Sequence, residues 1–393
     1  MPNIPSVSRR SFLQLSAAAS TAAAFRVITE PMLAWADVKN VPRDAVLINS
    51  NENPLGPCAA ARDAVASMIP EGGRYHFEFD QQLVELIAKT EGVKPNYVQI
   101  FAGSSVPLRS SVLAFTSKTK SYVTADPGYE AGMITSQASG ARVVKVPLAK
   151  AYAHDVKAMI AAAPDAGLFY VCTPNNPTGT LTGLSDIEYL VENKPKGSVV
   201  MVDEAYIHFS DAQSAIDLVK QDQDVIVLRT FSKLYGMAGL RCGMAIARPD
   251  LAKKISDIGG WNPQPITAMR AAMASLKDAG LVTERKRINA EVRKEVFEWL
   301  DRNGYTYIPS QSNCFMLDTK QDPKKVTEAM ASQNVVIGRV WPCMPTWVRI
   351  TVGTRPEMEQ FQAAFKKVMD GTAVGRHSLP RHHQHYDGVA MPS

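Results

Sequence analysis

The chain has 393 residues, of which 46% are apolar and 21% charged, with a formal net charge of +5. That length exceeds what one hydrophobic core usually serves, so two domains are expected. Residues 1–36 supply +2 of the charge (Arg9, Arg10 and Arg26 against Glu30), and the +3 left over the remainder is too small to argue for a nucleic-acid partner.

The first 36 residues read as an address. Ser8-Arg9-Arg10-Ser11-Phe12-Leu13 resembles the twin-arginine export signal; a weakly apolar stretch from Leu13 to Phe25 and a small-residue site at Ala34-Trp35-Ala36 follow. The apolar run is too short, and too rich in serine and alanine, to span a bilayer. The resemblance implies cleavage after Ala36, passage through the twin-arginine export machinery, which moves folded proteins, and a periplasmic or extracellular mature protein. Five cysteines, Cys58, Cys172, Cys242, Cys314 and Cys343, are odd in number and lack metal-ligand spacing, so buried thiols are expected rather than a disulfide framework.

Leu47 to Pro57 is a short extended run that breaks into a turn bounded by proline and glycine. Helices are expected over Ala59–Met68 and Asp80–Glu91, with the flexible connection Gly72-Gly73-Arg74-Tyr75 between them. From Val98 onward short apolar runs alternate with helical segments, the pattern of a mainly parallel sheet covered on both faces. Strands are expected at Val98–Phe101, Ser121–Thr124, Val143–Val146, Leu168–Cys172, Val199–Val202, Val225–Arg229 and Gly243–Ala247. Ala102-Gly103-Ser104-Ser105 should open a helix running to Phe115, and backbone amides at such a start favour an anion. A helix-rich stretch over residues 250–302 leads to a small α+β unit with strands at Tyr305–Pro309, Cys314–Asp318, Val335–Gly338 and Trp347–Thr351 and a last helix over Glu357–Met369. The expected division is a large α/β domain at 70–265, a smaller domain from 37–69 and 266–370, and a mobile tail at 371–393 whose histidines lack the spacing of a metal site.

The chemistry gathers at the ends of apolar runs. Thr230-Phe231-Ser232-Lys233, with Arg241 eight positions on, sets a lysine amine that can hold an aldehyde beside the hydroxyls and fixed cation that a phosphate dianion needs. Asn176, in a sharp turn after one strand, can donate to a phenolate oxygen. Asp203 ends another strand with Tyr206 three residues later, and an aspartate beside a pyridine nitrogen keeps that nitrogen protonated. These are the demands of pyridoxal 5′-phosphate (PLP).

The order Asn-Pro-Thr-Gly, Asp-x-x-Tyr, Ser-Lys and Arg, with gaps of 27, 30 and 8 residues between Asn176, Asp203, Lys233 and Arg241, resembles the fold-type I aminotransferases. Asn51–Pro57 and Val348–Thr354 resemble, more narrowly, the histidinol-phosphate aminotransferase branch, and the match covers roughly residues 45–370. The resemblance implies that Lys233 binds the cofactor aldehyde and then acts as acid and base. Asp203 would meet the ring nitrogen, Asn176 and Tyr206 the ring oxygen, and Tyr129 would stack on the ring. Ser104, Ser105, Thr230, Ser232 and Arg241 would cradle the phosphate. Tyr75 would reach the phosphate of a neighbouring subunit, making the active unit a homodimer, and Arg349, assisted by Asn313, would hold the substrate α-carboxylate.

The chain departs from the biosynthetic branch where Asn-Arg-Tyr-Pro becomes Gly73-Arg74-Tyr75-His76, where Gly-Ser-Asp-Glu becomes Gly103-Ser104-Ser105-Val106, and where Pro-Tyr-Asn-Val becomes Trp261-Asn262-Pro263-Gln264. Histidinol phosphate is therefore not the expected substrate. The leading expectation is transfer of an amino group between an L-amino acid and a 2-oxo acid. The alternative is a PLP- and dioxygen-dependent amino-acid oxidase of arginine-oxidase type, releasing a 2-oxo acid, ammonia and peroxide; a cofactor-retaining binding protein stands behind both.

Overall fold

A computed structural model describes residues 44–260 and 263–371. The expected export signal, the expected tail from residue 372 onward, and Trp261 and Asn262 of the third departure lie outside the described residues.

A short strand β1 (Val46–Ile48) precedes helices α1 (Ala59–Met68) and α2 (Glu78–Glu91). The large sheet is then laid down by β2 (Val98–Phe101), α3 (Ser105–Phe115), β3 (Ser121–Asp126), α4 (Ala131–Ser139), β4 (Val143–Pro147), α5 (Val156–Ala162), β5 (Ala166–Cys172), α6 (Leu184–Asn193), β6 (Val199–Asp203), α7 (Ile216–Lys220), β7 (Val225–Thr230) and β8 (Gly243–Ala247). Strand order is β2-β8-β7-β6-β5-β3-β4, and β8 alone runs against its neighbours. The sheet is thus mainly parallel, as the alternating pattern implied.

Every residue of β5, β6 and β7 is buried, because helices cover both faces and leave no solvent side for polar alternation. Side chains that alternate along each strand feed two separate cores. Phe169, Val171, Val200, Val202, Val225 and Val227 pack on one face, while Leu168, Tyr170, Met201, Ile226 and Leu228 pack on the other.

Helices α8 (Pro249–Gly259), α9 (Ile266–Lys277) and the long α10 (Leu281–Arg302) lead to the smaller unit. It holds β9 (Thr306–Tyr307), β10 (Cys314–Asp318), α11 (Pro323–Ala331), β11 (Val335–Ile337), β12 (Trp347–Thr351) and α12 (Arg355–Met369). An antiparallel sheet β12-β10-β9 lies beside the parallel pair β1-β11. Thr354 caps α12 and Glu357 returns to the Thr354 backbone, closing a capping box.

The packing differs from the expected division at one point. Ala61 of α1 and Ala268, Met269 and Ala272 of α9 belong to the apolar cluster of the large sheet, whereas the small unit's own cluster takes Val46 and Ile48 and resumes at Val292. Small side chains on both helices let α1 and α9 pack closely, and that contact outweighs their sequence proximity to the small unit. Strand β9 is also shorter than expected: only Tyr307 and Thr306 pair, with Leu317 and Asp318. Four thiols are buried as expected, but Cys343 is exposed; all five are free.

Candidate active site

The parallel register brings the functional ends of three strands level. Cys172 lies opposite Asp203 and Asp203 opposite Leu228, so the turns after β5 and β7 and the end of β6 open at one edge. Ligands of open α/β sheets bind at this carboxyl edge. A cavity of about 270 Å³ occupies it, and ten of the residues singled out in sequence line it: Ser104, Ser105, Tyr129, Asn176, Asp203, Tyr206, Thr230, Ser232, Lys233 and Arg241.

One end of the cavity is built for an anion. Ser104 and Ser105 begin the eleven-residue α3, whose first amides have no intrahelical partner. Arg241, at φ +64°, donates from Nη1 to Ala238 O at 2.9 Å and to Ser232 Oγ at 3.4 Å, and Thr230 Oγ1 donates to Ser232 Oγ at 2.9 Å. A side chain at Gly103 would place its Cβ 2.2 Å from Arg241 Nη2, so the glycine leaves the guanidinium its seat. Burial lowers the Arg241 pKa, yet an arginine remains a cation throughout the working range.

The other end is built for a protonated ring nitrogen. Asp203 is buried, accepting from Tyr170 Oη at 2.8 Å on Oδ2 and from Ala205 N at 3.1 Å on Oδ1. Burial pushes its carboxyl up to about 6, against those hydrogen bonds and the charge of Lys233, which favour the anion. An apposed N–H⁺ would restore the carboxylate. Tyr206 Oη accepts from Asn51 Nδ2 at 3.0 Å, and Asn51, fully buried at φ +54°, also donates its backbone N–H to Thr351 Oγ1 at 2.9 Å. At the end of β5, His154 Nε2 accepts from Cys172 N at 3.2 Å; burial lowers this imidazole to about 4, keeping it neutral and able to accept.

Between the two ends stands Lys233, buried, with Nζ 3.2 Å from Ser50 O and 5.5 Å from the centroid of the Tyr206 ring. Among the described residues Arg349 is the largest fully buried side chain; it donates from Nη1 to Asn176 Oδ1 at 2.9 Å and from Nη2 to Asn49 O at 2.5 Å. It therefore meets the cavity through Asn176.

Two of the expected residues fall elsewhere. Asn313 donates to the backbone oxygens of Asn51 and Glu52, at 3.1 and 3.3 Å, and so acts on the loop bordering the cavity. Tyr75 is exposed and stacked on Phe77 with ring centroids 5.5 Å apart, and does not line the cavity. Conversely, Tyr170, Asn51, Ser50 and Trp341 belong to the site's framework without having been singled out for a role. Asn51 alone carried a signal, its place in the Asn51–Pro57 motif.

An anion cradle, a buried carboxyl needing a cation and a lysine between them fit PLP end to end. Residues 39–365 match the family described as aminotransferase class I and II. The chain belongs to that family. It is 31% identical over 340 residues to a histidinol-phosphate aminotransferase of Moorella thermoacetica, covering 83% of this chain and 86% of the relative. It is 34% identical over 333 residues to an aromatic amino acid aminotransferase of Cutibacterium acnes, covering 84% and 94%. The fold matches that of a Sinorhizobium meliloti histidinol-phosphate aminotransferase solved with pyridoxal 5′-phosphate, at a TM-score of 0.76 and 23% identity, covering 88% of this chain and 96% of that one.

The protein is thus a PLP-dependent aminotransferase, and amino-group transfer, rather than oxidation, is the expectation that these relatives carry. The bound cofactor supplies an electron sink for the pair left behind when the substrate Cα–H bond breaks. The chain would supply the rest: Asp203 is placed to keep a proton on the ring nitrogen, the α3 start with Ser232 and Arg241 would hold the phosphate, and the Lys233 amine would be the base that takes and returns the proton at Cα.

Proposed function

We propose that this aminotransferase exchanges the α-amino group of an L-amino acid with a 2-oxo acid. Arg349 carries the reading. It is a fully buried planar cation, joined through Asn176 to the cavity that holds Lys233, and a two-pronged donor suits a carboxylate. The departures from the biosynthetic branch point the same way. His76 stands at φ +52° where the branch has proline, a residue locked near φ −65°, so this loop follows a different path. The test is a donor panel of L-amino acids against histidinol phosphate, with 2-oxoglutarate as acceptor. An α-amino acid should be the better donor, and a preference for the carboxylate-free phosphate ester would reject the reading.

We further propose a homodimer whose neighbouring site is completed by Tyr75. The exposed Ile69, Tyr75 and Phe77, clustered around a Gly-Gly connection, support it as apolar surface that a second copy would cover. Light scattering should give twice the chain mass, and mixing Tyr75→Ala with Lys233→Ala subunits should restore partial activity through hybrid dimers. The Ser8–Leu13 motif and Ala34–Ala36 support export and cleavage after Ala36; mass spectrometry of the secreted protein should find Asp37 at its N-terminus.

A further inference from the structure

We propose that Trp341 is a positioning residue for amino transfer, one indole that sets both the arginine receiving the substrate carboxylate and the turn carrying the ring-stacking Tyr129. This rests on the reading of Arg349 just given. The chain between β11 and β12 folds back on the arginine's own strand: Gly338 and Arg349 exchange backbone hydrogen bonds at 3.1 Å in both directions, and Trp341 bridges to Met344. The Trp341 ring is thereby buried, with the Cζ of Arg349 over it at 5.6 Å from the centroid and that of Arg339 at 4.7 Å.

The same indole reaches across to the large sheet. Its Nε1 donates to Gly128 O at 3.0 Å, one residue before Tyr129. On the other side of Tyr129, Glu130 pairs with Arg339 at 2.5 Å. Residues 339–341 thus grip the Tyr129 turn from both sides. The turn has no slack of its own, because a Cβ on Gly128 would fall 2.6 Å from Ala125 O.

The charges explain why an indole suits this position. Two guanidiniums beside one ring would repel each other, but Glu130 neutralises Arg339, and the electron-rich ring face attracts both cations. Arg349 is then held by the ring as well as by Asn176 and Asn49. Phenylalanine would keep the face and lose the N–H, while leucine would lose both.

Three holoenzymes test this: Trp341→Phe, Trp341→Leu and Arg349→Ala, with the Trp341→Leu/Arg349→Ala double variant. Trp341→Phe should lower kcat and change the cofactor's visible circular dichroism, with KM for the amino donor nearly unchanged. Trp341→Leu should also raise that KM about tenfold, the scale of a desolvated cation–π contact. In the Arg349→Ala background the leucine should add no further rise in KM, because its effect runs through the missing arginine. Independent, multiplying effects on KM, or an unchanged KM in Trp341→Leu while Arg349→Ala raises it, would overturn the proposal. An unchanged KM in Arg349→Ala alone would instead reject the carboxylate reading, and the proposal with it. Should the leucine variant not fold, a KM in Trp341→Phe raised as far as in Arg349→Ala would equally overturn it.

Discussion

Tyr170, on β5, donates its hydroxyl to Asp203 Oδ2, on β6, at 2.8 Å, and both side chains are buried. The bond holds the carboxyl that would face the ring nitrogen and favours its ionised form, against burial. Asp203→Asn should lower kcat by about 10²–10³, the scale of removing a preorganised electrostatic group. Tyr170→Phe should cost about tenfold, as for one hydrogen bond to a charged acceptor. Steady-state kinetics of the two variants checks the order; equal losses would contradict it.

The Asp203 carboxyl also sets a pH dependence. Its pKa is raised to about 6 in the folded protein without cofactor, against an ordinary 3.8. The folded state therefore holds this proton more tightly than the unfolded one, so its contribution to stability is greatest below pH 3.8 and is lost as pH rises through about 6. Cofactor binding runs the opposite way, because the pyridinium needs the carboxylate. Affinity for PLP should weaken as pH falls through about 6, and a titration of retained cofactor between pH 5 and 8 measures it.

Gly103 faces Arg241 so closely that alanine must displace the guanidinium. The guanidinium is the mobile end of its side chain, so it would move off the phosphate seat while the fold survives. The φ of +84° adds strain of about 1–3 kcal/mol for a residue with a Cβ. Gly103→Ala should lose PLP on dialysis under conditions where the parent protein retains it, with a modest fall in Tm. Undiminished retention would contradict an anion seat at this position.

Next to the site lies a pair whose role is structural. Arg229 donates from Nε to Glu204 Oε2 at 2.8 Å, and Glu204, fully buried, also accepts from Ala215 N at 2.6 Å. Removing one partner of such a pair typically costs about 3–5 kcal/mol. Glu204→Gln should lower Tm strongly while the protein that remains folded keeps its kcat, although Asp203 is its neighbour in sequence. Denaturant unfolding and single-turnover kinetics separate the two effects.

Much of the frame was legible because its signals are local. Strands β2, β8, β10 and β12 and helix α1 lie where apolar runs and their bounding glycine and proline residues placed them. The cavity residues were legible because asparagine, aspartate and lysine at strand ends have few other reasons to occur in that order. Tyr170 and Trp341 were not, since an aromatic inside an apolar run looks like core until its hydroxyl or indole N–H is seen to meet a partner 33 or 213 residues away. The loop that Asn313 holds, and the exposure of Tyr75, likewise depend on tertiary placement that no local pattern encodes. Helix α2 begins at Glu78 rather than Asp80, where His76 pairs with Glu78 at 2.8 Å and an acidic first turn suits the helix dipole.

In the proposed function Lys233, Asp203 and Arg349 together move an amino group between an amino acid and an oxo acid. The most direct measurement follows dissolved oxygen, ammonia and the new amino acid while the PLP-loaded mature protein is incubated with each of the common L-amino acids, with and without 2-oxoglutarate. Turnover only when the oxo acid is present, with glutamate formed, no oxygen consumed, and all turnover lost in Lys233→Ala, is the predicted result. Oxygen uptake with ammonia release in the absence of the oxo acid would contradict it.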